Sequence, residues 1–241
     1  MIAKHSRFAL ITGASRGIGR ATAIAFAKAG VSSLLVGRSA QDLHAVVDEI
    51  QSLGAEAWAF DLDLSQVQQI KPRLLSILGK VGPVDILVNN AGMGYTGDLM
   101  ETPLEDWQRV IDLNLTNPFQ CIQAVLPQMR SQQRGTIINV ISGAGRQAFP
   151  QWGAYCASKF GLMGLTKTLA QEERAHGIRA IALCPGPVNT PLWDTETVQA
   201  DFDRSLMLTA EDVAEVIVHT ALLPQNVVID ELVLMPNAGT F

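Results

Sequence analysis

A chain of 241 residues that is 48% hydrophobic and only 17% charged has the composition of a well-buried globular protein, which excludes disorder. The formal net charge of −5 argues against nucleic acid or anionic membrane as main partners, because both select basic surfaces. Three scattered cysteines (Cys121, Cys156, Cys184) without a CxxC pair suit a reducing, cytoplasmic setting; no apolar run reaches the roughly 18 residues of a membrane span, and "MIAKHSRF" lacks the form of a signal peptide.

Apolar, β-branched runs and helical patterns then alternate along the chain. "FALIT" (8–12) leads through "TGASRGIG" into a helix over 17–30. "SLLVG" (33–37) precedes a helix over 41–53, and "EAWAF" (56–60) one over 65–79. "VDILVNN" (84–90) is followed by a long helix over 104–130, and "TIINVIS" (136–142) by one over 152–175. "RAIALCP" (179–185), an irregular stretch rich in Pro, Asp and Thr at about 186–208, a helix over 210–223 and "ELVLMP" (231–236) complete the chain. Strict alternation with near-continuous apolar strands predicts an α/β, Rossmann-type, doubly wound parallel sheet of seven strands with helices on both faces. These elements fill 1–241 as a single domain, and the stretch at 186–208 reads as a substrate loop. His5, His44, His176 and His219 stand without ligand spacing, so no metal site is expected.

In such sheets ligands lie beyond the carboxyl ends of the strands, and the residues with chemical capacity fall there. Gly13, Gly17 and Gly19 sit between the first strand and its helix, where glycine permits a tight turn and close approach of a pyrophosphate. Ser15, Arg16 and Ile18 belong to the same turn. At the end of the second strand, Gly37, Arg38 and Ser39 stand where an acid would grip a ribose 2′-hydroxyl. Arg16 and Arg38 together, with the acid missing, favour a 2′-phosphate and hence NADP(H) over their simpler role as solvated surface charges. Asp63, beside Leu64, is a candidate acceptor for the adenine amino group. Asp61 competes with it, and one of the two is a turn or cap residue.

With the glycine turn, "NNAG" at 89–92, Ser142 and Tyr155-x-x-x-Lys159 in this order, the sequence resembles the classical short-chain dehydrogenase/reductase family over its whole length. The resemblance implies Tyr155 as catalytic acid/base, Lys159 as the residue that lowers its pKa and holds the nicotinamide ribose, and Ser142 as the group that orients the substrate carbonyl. Asn114 would complete a proton relay through a bound water. Asn90, Ala91 and Gly92 would line the cofactor, and Pro185, Gly186, Val188 and Thr190 would meet its nicotinamide side. Physical chemistry supports these roles: a free phenol titrates near 10, and an ammonium one helical turn away favours the phenolate. Taken singly, the Tyr–Lys pair is an ordinary helix edge, Ser142 a strand-end hydroxyl and Asn114 a backbone partner at a helix kink. Jointly they fall on one sheet edge.

Met93, Tyr95, Phe149, Trp152, Leu192, Trp193, Phe202, Leu206 and Met207 surround the predicted crevice, with Phe149, Trp152, Leu192 and Trp193 as the substrate contacts. Such a lining favours a bulky hydrophobic or aromatic ketone or aldehyde. Sepiapterin (pterin) reductase and 3-oxoacyl-(acyl-carrier-protein) reductase are the alternatives within the family; the tail "LMPNAGTF" lacks the glycine-rich ending usual in the latter. A non-catalytic NADPH sensor is a remote third reading, set against the complete catalytic set. Phe119, Ile122, Val125, Leu126 and Met129, with Phe160, Leu162, Met163, Leu165 and Leu169, make more apolar helix surface than a sheet can cover, so a homotetramer is expected.

Overall fold

The computed structural model describes residues 7–200 and 202–239; the opening residues with His5, and the last two residues of the tail, lie outside them. Seven parallel strands form one sheet in the order β3-β2-β1-β4-β5-β6-β7. They are β1 (Phe8–Thr12), β2 (Ser32–Gly37), β3 (Ala57–Asp61), β4 (Ile86–Asn89), β5 (Gly135–Val140), β6 (Ile178–Pro185) and β7 (Glu231–Leu234). The period of two along each strand builds two separate cores. Ala9, Ile11, Leu35, Ile86, Val88, Ile138 and Ile181 face α1 (Gly17–Lys28), α2 (Ala40–Ser52) and α7 (Ala210–Leu222). Leu10, Leu34, Val36, Leu87 and Ile137 face α3 (Val67–Val81) and α5 (Asn117–Gln132) on the other side, with Leu169 of α6 (Gly153–Glu173) packed into the same cluster.

The expected helix over 104–130 divides. Its first part, α4 (Leu104–Ile111), runs into a π-turn over Asp112–Thr116 before α5 begins. Pro118 has no N–H to give the carbonyl four residues back, at Asn114, and the widened turn absorbs that missing bond. The fifth strand also stops early, at Val140, two residues short of Ser142. Ser142 instead caps a 3₁₀ turn over Gly143–Gly145, its Oγ accepting from the Ala144 N–H at 3.1 Å.

Polar groups cross-link the sheet to α5 and α6. Asn89 Nδ2 donates to Asn139 Oδ1 at 2.8 Å, and Asn139 Nδ2 donates to Thr166 Oγ1 at 2.8 Å. Glu173, with 1% of its side chain exposed, receives both the Nε (2.8 Å) and a terminal nitrogen of Arg130, which clamps α6 to α5. The Arg130 hydrogen bond holds the Glu173 carboxyl below its ordinary 4.5. Most of the apolar stripes on α5 and α6 are spent inside the subunit; Phe119 (39% exposed) and Phe160 (45%) remain outside.

A carboxyl held low stabilises the fold above its ordinary pKa, and the benefit is lost as pH falls through the depressed value. Arg130→Ala should therefore lower the Tm by several degrees at neutral pH, with the gap to wild type closing below about pH 4.5 in a pH series of thermal melts.

Candidate active site

At the carboxyl ends of β1, β4, β5 and β6 the loops enclose one cavity of about 1170 Å³. Gly13 (φ 65°) and Gly17 (φ 53°) occupy the left-handed region, and a Cβ on Gly13 would meet the Ala91 Cα at 2.9 Å. The turn therefore needs glycine for both conformation and room. Arg16 is the N-cap of α1 but makes no side-chain cap, so the first N–H groups of that helix stay available for an anion. Ser15, Ile18, Asn90, Ala91 and Gly92 line the same wall. Asn90 and Ala91 donate their N–H groups to Thr12 Oγ1 at 3.0 Å, while Asn90 Nδ2 donates to the carbonyls of Thr12 (3.0 Å) and Gly13 (3.3 Å). Thr12, overlooked in the sequence, is thus the tie between the glycine turn and "NNAG"; its place immediately before Gly13 is the signal.

Gly19 departs from expectation. It does not line the cavity, and a Cβ there would collide with the Gly13 carbonyl oxygen. Its glycine serves the close packing of α1 on the strand end rather than a ligand.

Arg16 and Arg38 are exposed on the rim and form no ion pair among the described residues, whereas most other arginines do. Ser39 lines the cavity and caps α2 through Asp42 N–H at 3.2 Å. Leu64 and Asp63 also line it; one Asp63 oxygen accepts from Ser65 N–H (3.0 Å) and Oγ (2.8 Å) as a turn residue. Asp61 opens instead on an adjoining hollow with Arg38 and Arg73. The glycine cradle, the uncapped helix and two unpaired guanidiniums fit a dinucleotide carrying an extra phosphate.

Tyr155, Lys159 and Ser142 converge on the other half of the cavity. Lys159 Nζ lies 5.7 Å from the Tyr155 ring centroid and donates to the Val140 carbonyl at 3.1 Å. Burial pushes the Tyr155 phenol up to about 12, against a hydrogen bond from Ser142 that lowers it. Burial likewise brings Lys159 down to about 8. In the protein by itself the phenol therefore moves up, not down: desolvation outweighs the Ser142 hydrogen bond.

Asn114 also differs from expectation, because its side chain is fully buried and does not line the cavity. Its Nδ2 donates to the Met93 carbonyl (2.9 Å) and Ser158 Oγ (3.1 Å), and its Oδ1 accepts from Met93 N–H (2.8 Å). Ser158, another residue missed in the sequence, donates on to the Tyr155 carbonyl at 2.7 Å. A Cβ on Gly92 would sit 3.0 Å from Asn114 Oδ1 and 3.7 Å from Lys159 Nζ, so the two side chains converge behind that glycine.

The remaining wall comes from Pro185 at the end of β6, from Gly186, Val188 and Thr190 after it, and from Phe149, Trp152, Leu192, Trp193, Phe202 and Met93. Tyr95, Leu206 and Met207 stay outside it; the Tyr95 hydroxyl donates to Asp106 at 3.3 Å instead. The described residues of the stretch 186–208 include 3₁₀ turns at Pro191–Asp194 and Arg204–Leu206, with Arg204 bonded to Asp194 (2.5 Å) and Asn189 (2.9 Å).

A parallel sheet with a glycine cradle at one strand end and a Ser–Tyr–Lys cluster at its neighbours defines a nucleotide-dependent oxidoreductase architecture. The short chain dehydrogenase family matches residues 7–201, and the chain belongs to that family. It is 41% identical over 202 residues to a 3-oxoacyl-(acyl-carrier-protein) reductase of Synechocystis sp., covering 83% of this chain and 81% of the relative. It is 35% identical over 237 residues to the sepiapterin reductase of Chlorobaculum tepidum, covering 95% and 96%. In three dimensions it resembles an alcohol dehydrogenase of the archaeon Thermococcus sibiricus complexed with 5-hydroxy-NADP, with a TM-score of 0.88, 29% identity and 97% of each chain covered.

The chain has two tyrosines, so Tyr95→Phe isolates Tyr155 for titration. Without cofactor, phenolate absorbance of the folded variant should stay below about a tenth of its full value at pH 11, while the urea-unfolded variant titrates near 10. A folded midpoint near 10 would contradict the desolvated phenol.

Proposed function

We propose that the protein is an NADPH-dependent carbonyl reductase, reversible as an alcohol dehydrogenase, acting on a bulky hydrophobic or aromatic ketone or aldehyde. The observation that carries this reading is one cavity with two unlike halves. Unpaired Arg16 and Arg38 lie at the cradle end, and a Tyr–Ser–Lys cluster walled by aromatic rings lies at the other. When bound, the reduced nicotinamide supplies the hydride. The chain supplies the proton and the alignment: Ser142 donates a hydrogen bond to the carbonyl oxygen, and Tyr155 delivers a proton to that oxygen as negative charge develops there. Lys159, titrating at about 8, can exchange protons near neutral pH and return one towards the phenol. Asn114 acts from behind Gly92 by holding the Met93 backbone and Ser158 in place. The stretch 186–208 carries Thr190, Leu192 and Trp193 over the cavity as its substrate loop.

The curated relatives favour two narrower substrates, a pterin and an acyl thioester on a carrier protein. Against the carrier, Arg130 and Arg134 are both spent on ion pairs, with Glu173 and with Asp85 (3.0 Å), and offer no free basic face to an acidic partner. The half-exposed Phe119 and Phe160 support a further apolar contact between subunits and, with it, a homotetramer. Three buried free thiols suit the reducing cytoplasm.

A product-verified screen of NADPH oxidation over aryl ketones, pterins and acyl thioesters tests the assignment, and activity confined to the NADP+-dependent oxidation of small polar polyols would end it. Tyr155→Phe should cut turnover by about 10²–10⁴-fold while NADPH still binds. Retained activity would remove the proton-donor role. Arg16→Ala with Arg38→Ala should weaken NADPH by roughly tenfold or more, with NADH affinity little changed in direct titration.

A further inference from the structure

We propose that Trp152 is the specificity-determining residue of this site, selecting a planar aromatic carbonyl over an aliphatic one of equal bulk. The inference rests on the carbonyl-reductase reading and narrows it. Four rings from two segments, the start of α6 and the loop after β6, stand in a row. Tyr155 and Trp152 have centroids 5.4 Å apart at 65°, Trp152 and Trp193 6.0 Å apart at 71°, and Trp193 and Phe202 5.4 Å apart at 84°. All four line the cavity and all are partly exposed. Near-perpendicular neighbours present ring edges and ring faces in alternation. An aryl group can meet that alternation edge to face, whereas a saturated ring of the same volume gains only buried area.

Trp152 is the ring of the row that touches Tyr155, so its contacts fall beside the reacting carbonyl. It is also firmly placed, at the N-cap of the helix that carries Tyr155, with its N–H on the Phe149 carbonyl (3.2 Å) and a β-bridge to Gly97. Trp193 has spent its indole N–H on the Val188 carbonyl at 2.8 Å, so it offers the cavity hydrocarbon and π surface. Glu196 lines the cavity too, and its charge disfavours an anionic aliphatic substrate.

A matched pair of ketones, acetophenone and cyclohexyl methyl ketone, tests the proposal with NADPH in wild type, Trp152→Phe and Trp152→Leu. Wild type should prefer the aryl ketone by about three- to tenfold in kcat/KM. Trp152→Phe should keep that preference, and Trp152→Leu should bring it near unity, chiefly by losing the aryl substrate. An aryl preference that survives in Trp152→Leu, or its absence in wild type, overturns the inference; Trp152→Met serves if the leucine variant does not fold. Dissociation constants of both ketones for the Tyr155→Phe–NADPH complex give a readout independent of turnover. If neither ketone is reduced, the carbonyl-reductase reading fails, yet an aryl preference in binding that Trp152→Leu removes would still uphold the aromatic site. Equal binding of both ketones would sink it.

Discussion

Lys159 carries an ammonium into a place where the residue is only 5% exposed, and the Val140 carbonyl is its one hydrogen-bond acceptor among the described residues. That arrangement constrains the surrounding structure. The acceptor is the last residue of β5, beside the point where the chain turns away towards Ser142. The turn that follows must let α6 come close, which Gly145 permits: a Cβ there would sit 2.9 Å from the Lys159 carbonyl oxygen. Ser142, turned out of the strand by the same termination, becomes a cap and a neighbour of the phenol. Holding a charge in so dry a place costs stability, and the cost appears as a lysine brought near 8. The same dryness raises the tyrosine. Burial therefore favours the neutral form of both groups and works against a phenolate–ammonium pair.

The sheet was legible in the sequence because strand and helix periods differ so sharply here. Residues such as Leu10 and Ile11, adjacent in sequence, go to opposite cores, and every predicted strand lies within two residues of the observed one. Motif positions were legible for the same reason, since strand ends determine where loops gather. Continuity through 112–116 was not. Pro118 inside the expected helix signals a kink, but not that it takes the form of a π-turn four residues upstream with Asn114 in the interior. Nor could residue types show that Gly19 serves packing while Gly13 and Gly17 serve the cradle. The sign of the Tyr155 shift was equally out of reach, because it depends on how much water the fold removes.

The aromatic row illustrates a different limit. Trp152, Trp193 and Phe202 belong to a helix start and to the loop after β6, separated by up to fifty positions. Composition identifies them as apolar, yet only tertiary packing puts their rings at near right angles. The loop that looked patternless is held by Arg204, which bonds Asn189, Thr190 and Asp194 at once. Trp193 is itself fixed by its indole N–H on the Val188 carbonyl.

The two halves of the cavity differ in how they treat charge, and this bears on which substrates can coexist with the cofactor. At the cradle, the uncapped end of α1 and two arginines without ion-pair partners favour anions. At the catalytic end, cations are already committed: Lys159 to a carbonyl, Arg146 to Glu231 and Arg204 to Asp194. An anion entering the cavity would therefore be drawn towards the cradle, where the two unpaired guanidiniums lie, and away from Glu196. The distribution of unpaired charge thus separates an anion-favouring cradle from a half of the cavity whose cations are already paired.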